Sequence, residues 1–168
     1  RHEDCLMHRM LTTAILLAVP AFTDAAAESP QEWAALGARV HGGYGAFIPL
    51  GIKIGLDAAD RLKAGPRELA VLYYDNPAAP CACFADGIAI ATTASPGQRS
   101  LIISSDKAPD DAAAVIIIRP RKGGAGLKYT VPMTSLPILA AINKNPDPLA
   151  RHHAVMTTGG LFAIEPIQ

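Results

Sequence analysis

The chain has 168 residues, with 15 basic and 15 acidic side chains, 50% hydrophobic residues and three cysteines. This length fits one domain, with or without a targeting segment. The zero net charge argues against a nucleic-acid-binding protein, and no apolar run reaches the roughly 20 residues that a membrane-spanning helix needs. Three cysteines are too few for a disulfide scaffold.

Residues 1–27 have the layout of a secretory signal peptide. A start at Met7 places a short basic segment before the apolar run 11–22, and small residues follow up to Ala27. We therefore expect cleavage after Ala27 and a periplasmic or secreted protein whose mature part, 28–168, is a single domain. The alternatives are an ordinary amphipathic helix or an uncleaved anchor too short to span a membrane.

The rest of the chain predicts helices and strands in a mixed order. Ser29, Pro30 and Glu32 form the pattern of a capped helix start, and a glycine-rich loop begins at His41. The predicted order is helices over about 30–39 and 47–62, a strand over 68–74, a buried helix over 83–94, strands over 100–104, 114–118 and 127–131, short helices over 137–143 and 148–156, and a short strand over 161–164. This order predicts an α+β domain with a mixed sheet, in which the glycine-rich turn 122–126 joins a hairpin.

The pair Cys81-Ala82-Cys83 is a candidate for metal binding or redox chemistry. Two thiols at this spacing can bind a soft metal ion together, can oxidise to a disulfide, or can pack as small residues at a helix start. A lone C-x-C is a weak zinc motif, so the residues alone leave these alternatives open. His152 and His153 are predicted to lie at the surface, since neighbouring helical residues point in different directions.

Two segments resemble the signatures of the FmdE family of formylmethanofuran dehydrogenase subunits. Residues 41–55 (HGGYGAFIPLGIKIG) are similar to its opening signature, F-H-G-H-x-[CG]-P-x-x-x-x-G-x-[RK]-x-G. Residues 83–101 (CFADGIAIATTASPGQRSL) are similar to its second signature, C-x-x-D-G-I-Q-x-x-T-G-C-T-x-G-K-x-N-L. The resemblance covers about 33–135 and implies an α-β-α-β-β-β core with a mixed sheet, to which this chain adds N- and C-terminal helices.

The resemblance also implies a site built from the histidines and cysteines of these two segments. His41, Cys83 and Asp86 stand at matching positions, whereas the family's second His is Gly43 here and its second-segment Cys is missing. We predict that His41 and Cys83 bind a divalent metal ion, with zinc preferred. We further predict that His41, Gly43, Tyr44 and Asp86 contact a small-molecule ligand.

Three functions follow from these observations. The first is an exported protein that binds a metal ion or small ligand in a pocket between the His41 loop and the Cys83 helix start. The second is a metal-dependent or redox enzyme, linked to one-carbon metabolism by the family's name only, and the third is a non-catalytic accessory protein. The missing family residues favour binding over catalysis. No nucleic-acid partner is expected, and the oligomeric state stays open, with a homodimer as one alternative.

Overall fold

The computed structural model describes residues 28–168, so the predicted signal segment 1–27 lies outside it. In chain order the elements are α1 Pro30–His41, α2 Phe47–Leu62, β1 Leu69–Asp75, α3 Cys83–Thr92, β2 Leu101–Ile103, β3 Ala112–Pro120, β4 Gly126–Pro132, α4 Ser135–Asn143, α5 Pro148–Thr157 and β5 Ala163–Ile167. The predicted α+β class is confirmed. Within 28–168, no helix combines the length and apolar character that crossing a membrane requires.

The strands form one mixed sheet in the order β2-β1-β3-β4-β5. β1 and β2 run parallel and are joined through α3, while every other neighbouring pair is antiparallel. The predicted hairpin is confirmed, because β3 and β4 pair directly across the turn after Pro120. The parallel pair matters for the site, since α3 must begin beyond the carboxyl end of β1.

The core lies between one face of the sheet and the helices. Along β1, the side chains of Leu69, Val71 and Tyr73 on this face are buried, whereas their neighbours in sequence on the other face are partly exposed. Tyr73, Ile116 and Tyr129 face one another across three strands and belong to the same cluster as the apolar side chains of α2 and α3. One sheet face is therefore covered by helices.

Helix α1 starts as predicted and ends later than predicted. The Ser29 side chain accepts from the backbone N–H of Glu32, whose carboxylate accepts from the backbone N–H of Ser29, so the capping box is formed. The helix continues through His41 and ends where Gly42 adopts a left-handed conformation with φ of 85°. His41 is thus the last helical residue and not the first residue of the loop, because Gly42 provides the C-cap.

Helices α2 and α3 cross at a point where both carry glycine. A Cβ on Gly51 would collide with the backbone of α3 at Phe84 and Gly87, and a Cβ on Gly87 would meet the backbone of α2 at Gly51 and Ile52. Gly55, four residues after Gly51, packs against Ala91. Gly51 and Gly55 therefore let α2 pack closely against α3, and this packing fixes the position of α3 and of the cysteine at its start.

Candidate metal centre

Three potential metal ligands come together where the end of α1 meets the start of α3. The ligand atoms of His41, Cys81 and Cys83 all lie within 4.8 Å of one another. His41 is exposed, Cys81 is half-buried and Cys83 is buried at 5% exposure. Cys83 is the first residue of α3, and Cys81 lies in the loop that leads from β1 into this helix. The parallel β1-α3-β2 unit therefore supplies both sulfurs, and α1 supplies the imidazole.

Asp86 holds the imidazole of His41 in place. The Nδ1 atom of His41 lies 2.8 Å from Oδ2 of Asp86, which is in the first turn of α3. A histidine that binds a metal ion through one ring nitrogen usually donates its other N–H to a carboxylate or carbonyl group. With Nδ1 engaged by the carboxylate, Nε2 is the ring nitrogen of His41 that could bind a metal ion.

A cavity of about 440 Å³ adjoins the three ligands. Its lining includes His41, Cys81 and Cys83, and the remaining walls are mainly apolar side chains and a glycine: Gly45, Phe47, Ile48, Pro80 and Ala140, with Asn143 as a polar exception. A cavity of this size has room for a small organic molecule or for water next to the sulfurs. The donor atoms therefore border a space that a further ligand can enter.

The loop after His41 is anchored to α5 by a buried hydrogen bond. The hydroxyl of Tyr44 lies 2.7 Å from Nδ1 of His152, and the two rings are stacked with centroids 6.1 Å apart. Burial raises the pKa of Tyr44, while burial and then the neighbouring His153 lower the pKa of His152. The surface prediction is wrong for His152, which is 5% exposed, and correct for His153, because successive residues of α5 point inward and outward.

Two more side chains from the C-terminal helices hold the same loop. The guanidinium of Arg151 donates through Nε to the backbone carbonyl of Tyr44 at 3.0 Å. The Oδ1 atom of Asn143, the last residue of α4, accepts from the backbone N–H of Ala46 at 2.6 Å, at the start of α2. A Cβ on Gly45 would lie 3.2 Å from that same oxygen, so a side chain at position 45 would crowd the amide group of Asn143.

The residues predicted to bind a ligand are only partly brought together. His41 and Asp86 are bonded to each other, and His41 also lines the cavity. Tyr44 is buried against His152 at 5% exposure, and Gly43 lies in the loop with open space where a side chain would be. Neither Gly43 nor Tyr44 lines the cavity, and their ligand contacts stay predictions.

Sequence reasoning misses several residues that matter at this site. Cys81 is half of the C-x-C motif but is not among the predicted metal ligands, since only Cys83 stands at a family position. Asn143 and His152 give no local signal, because their partners Ala46 and Tyr44 lie about 100 residues away in sequence. Contacts over such separations depend on how the helices pack.

The two sulfurs of the cluster are bonded to each other as a Cys81–Cys83 disulfide. Of the alternatives left open by the sequence, the structure thus contains the oxidised pair, in a position where the reduced pair and His41 would form a three-ligand set. Two thiolates and one imidazole are donors that zinc and other borderline-soft metal ions accept, with a fourth position open. The reduced residues therefore fit a metal ion, and Asp86 fits as the outer partner of His41.

The fold and these residues define a class: an α+β domain with a histidine and cysteine group at the start of its crossover helix. Residues 40–152, more than half of the chain, match the family described as FmdE, molybdenum formylmethanofuran dehydrogenase operon. The chain belongs to this family, as its two signature segments predicted. No curated protein shows a significant sequence match to the chain.

Proposed function

We propose that the reduced protein binds one divalent metal ion through His41, Cys81 and Cys83. The observation that carries this proposal is the convergence of three ligand atoms within 4.8 Å, from residues up to 42 positions apart in sequence. Zinc is the preferred ion in this proposal because the donor set is one imidazole and two thiolates, which suit its tetrahedral coordination. The metal would supply a Lewis-acidic centre at the cavity wall.

The hydrogen bond between His41 and Asp86 supports the proposal. A carboxylate on Nδ1 orients the ring and increases the electron density on Nε2, so that Nε2 becomes a better ligand. A surface ion pair alone would contribute little to stability, because the two side chains are 32% and 41% exposed. The contact therefore suits a ligand-positioning role better than a purely stabilising one.

The proposal includes a small ligand at the open side of the metal. The cavity of about 440 Å³ touches all three donors and is otherwise largely apolar. A neutral or weakly polar molecule with one donor group would fill this space and complete the metal coordination. Binding, rather than a defined reaction, is the function that these residues support.

Metal analysis of the reduced protein tests the proposal. The protein is reduced with a dithiol, freed of metal with a chelator, and titrated with Zn²⁺, and with Co²⁺ to follow the absorption of thiolate-bound cobalt. We expect one equivalent to bind and to raise the melting temperature, since a ligand that binds only the folded state stabilises it. A protein that binds less than a tenth of an equivalent and melts at an unchanged temperature would rule out the metal site.

Single variants assign the ligands. His41→Ala, Cys81→Ser and Cys83→Ser should each weaken binding, and the Co²⁺ spectrum should lose thiolate character only in the two cysteine variants. His153→Ala is the matched control, because His153 is an exposed histidine on α5. Equal loss of binding in His153→Ala would show that the titration reports nonspecific histidine binding and would contradict the assignment.

Export is part of the proposal. The layout of residues 1–27 supports a signal peptide, and a disulfide between Cys81 and Cys83 suits an oxidising compartment. Expression of the full chain in a bacterium followed by cell fractionation and N-terminal sequencing tests this part. Mature protein that begins at Glu28 in the periplasmic fraction is expected, and an unprocessed chain in the cytoplasm contradicts it.

A further inference from the structure

The disulfide and the metal site use the same two sulfur atoms and exclude each other. Two thiolates that bind one zinc ion at about 2.3 Å in a tetrahedron lie about 3.8 Å apart, whereas the sulfurs of Cys81 and Cys83 are joined by a covalent bond. A disulfide sulfur has no thiolate charge to donate to a metal ion. Opening the bond is therefore a precondition for metal binding at this place.

We propose that Cys81–Cys83 is a reversible dithiol–disulfide couple that exchanges with external thiols, and that its oxidised state closes the metal site. The exchange depends only on the cysteine pair and its surroundings. Closure of the metal site rests on the function proposed above. The spacing of the two cysteines is the first observation that supports exchange.

The disulfide closes a loop too short to hold the fold together. A single residue, Ala82, separates the two cysteines, and the stabilisation that a disulfide gives by restricting the unfolded chain grows with the length of the loop it closes. Both cysteines adjoin a large apolar cluster made by α2, α3 and the sheet, which does not need them as a cross-link. A bond that contributes little to folding can be opened without unfolding the domain.

The two sulfurs differ in their access to solvent. Cys81 is half-buried at the cavity, whereas Cys83 is 5% exposed and packs in the core. An attacking thiolate must approach its target sulfur in line with the bond that breaks, so access decides which sulfur is attacked. The external thiol therefore attacks Cys81, and Cys83 leaves.

The surroundings of Cys83 stabilise the leaving thiolate. Cys83 occupies the first position of α3, a ten-residue helix whose N-cap Ala82 has no side chain that could bond the free N–H groups of the first turn. The positive end of a helix stabilises a thiolate at this position. His41, held by Asp86, has a ring nitrogen within 4.8 Å of the sulfur.

The exchange consists of two successive displacement reactions at sulfur. In the first, an external thiolate forms a bond to Cys81 Sγ, the Cys81–Cys83 bond breaks, and its electron pair leaves as the Cys83 thiolate. In the second, another external thiolate attacks the external sulfur of this mixed disulfide and releases the Cys81 thiolate. The two external thiolates become a disulfide and two electrons pass to the protein, while the protons that the external thiols lost on ionisation stay in the solvent. Both protein thiolates are then free to bind a metal ion.

Trapping the mixed disulfide tests the direction of the exchange. The oxidised, natively folded protein is mixed with glutathione, quenched with acid, alkylated and mapped by mass spectrometry. We expect glutathione on Cys81, with at least tenfold less on Cys83, and circular dichroism that is unchanged by reduction. Glutathione mainly on Cys83, or a disulfide that is reduced only after denaturation, would overturn the exchange proposal.

Zinc titration of three samples separates the two proposals. The oxidised protein, the reduced protein and the reduced protein after reoxidation are compared, and we expect the reduced form to bind Zn²⁺ at least 100-fold more tightly than either oxidised form. Equal affinity in all three forms would overturn closure of the site by oxidation while leaving metal binding intact. If no form binds, both the metal function and the closure fail, and the glutathione mapping alone decides whether exchange occurs.

Discussion

The carboxylate of Asp86 and the imidazole of His41 meet at 2.8 Å, although one belongs to the first turn of α3 and the other to the last turn of α1. The same turn of α3 carries Cys83. One helical turn therefore supplies a candidate metal donor and also the carboxylate that contacts a second candidate donor. The position of this turn relative to α1 decides the geometry of the whole site.

Removing the charge of Asp86 should weaken metal binding without preventing it. In Asp86→Asn the reduced protein should bind Zn²⁺ roughly 10–100-fold more weakly, because loss of an outer partner of a ligating histidine has effects of this size. Competition with a chelator of known affinity measures the change. Asp60→Asn, on an exposed part of α2, is the control and should bind as the natural protein does. Equal affinities in both variants would contradict the positioning role of Asp86.

A methyl group at the crossing of α2 and α3 should destabilise the domain. Gly51→Ala and Gly87→Ala each place a Cβ against backbone atoms that cannot move aside, so we expect a loss of at least about 1–3 kcal/mol in the free energy of unfolding. Urea denaturation measures it. Gly43→Ala is the matched control, because no heavy atom lies within 4 Å of its added Cβ and its φ is not positive. Similar stability in all three variants would mean that the helices do not touch at Gly51.

Burial of His152 should make stability depend on pH. The pKa of folded His152 lies below its ordinary value of 6.5, so in the window below pH 6.5 the unfolded chain binds a proton that the folded chain does not. The contribution of His152 to the free energy of unfolding should therefore be fully present above about pH 6.5 and should be lost as the pH is lowered further. Denaturation at about pH 8 and about pH 5.5 should show a smaller difference in His152→Gln than in the natural protein, whereas His153→Gln should keep the full difference. If the pH dependence of stability is unchanged in His152→Gln, groups other than His152 cause it.

Loss of the Asn143 amide should loosen the start of α2. In Asn143→Ala the backbone N–H of Ala46 loses its acceptor, and we expect a loss of about 1 kcal/mol, the size of a lost helix cap. Thermal melting at fixed pH measures the effect. Asn143→Asp keeps an acceptor oxygen at the same place and should recover most of the lost stability. A variant pair with equal melting temperatures would show that the hydrogen bond has no net value.

Local patterns predict the helices and strands closely because each pattern has a local cause. The capping box at Ser29 and the hydrophobic spacing of α2 involve residues within a few positions of one another, and both are present as expected. The predicted end of α1 falls two residues short, since the helix continues to the left-handed C-cap at Gly42 and the sequence alone does not fix which residue adopts this conformation.

The site is predictable only in part, because sequence patterns report contacts between residues that lie close together in the chain. His41, Cys83 and Asp86 can be found because they lie in two segments with family spacing. The contributions of Cys81, Asn143 and His152 depend on the packing of α3, α4 and α5 against the loop, and pairs with large sequence separation leave no periodic signal. The predicted mixed sheet requires at least one parallel pair of strands, but only the structure identifies that pair as β1 and β2.

The hydrogen bond between Tyr44 and His152 connects the loop that follows His41 with α5. The loop that follows His41 is held from the C-terminal part of the chain, by His152 through the Tyr44 hydroxyl and by Arg151 through the Tyr44 carbonyl. Because coupling between two sites is reciprocal, we expect a metal ion that binds at His41 to slow the opening of α5 through this loop. Amide hydrogen exchange at residues 154–157 is then expected to report metal binding at a site to which α5 contributes no donor atom.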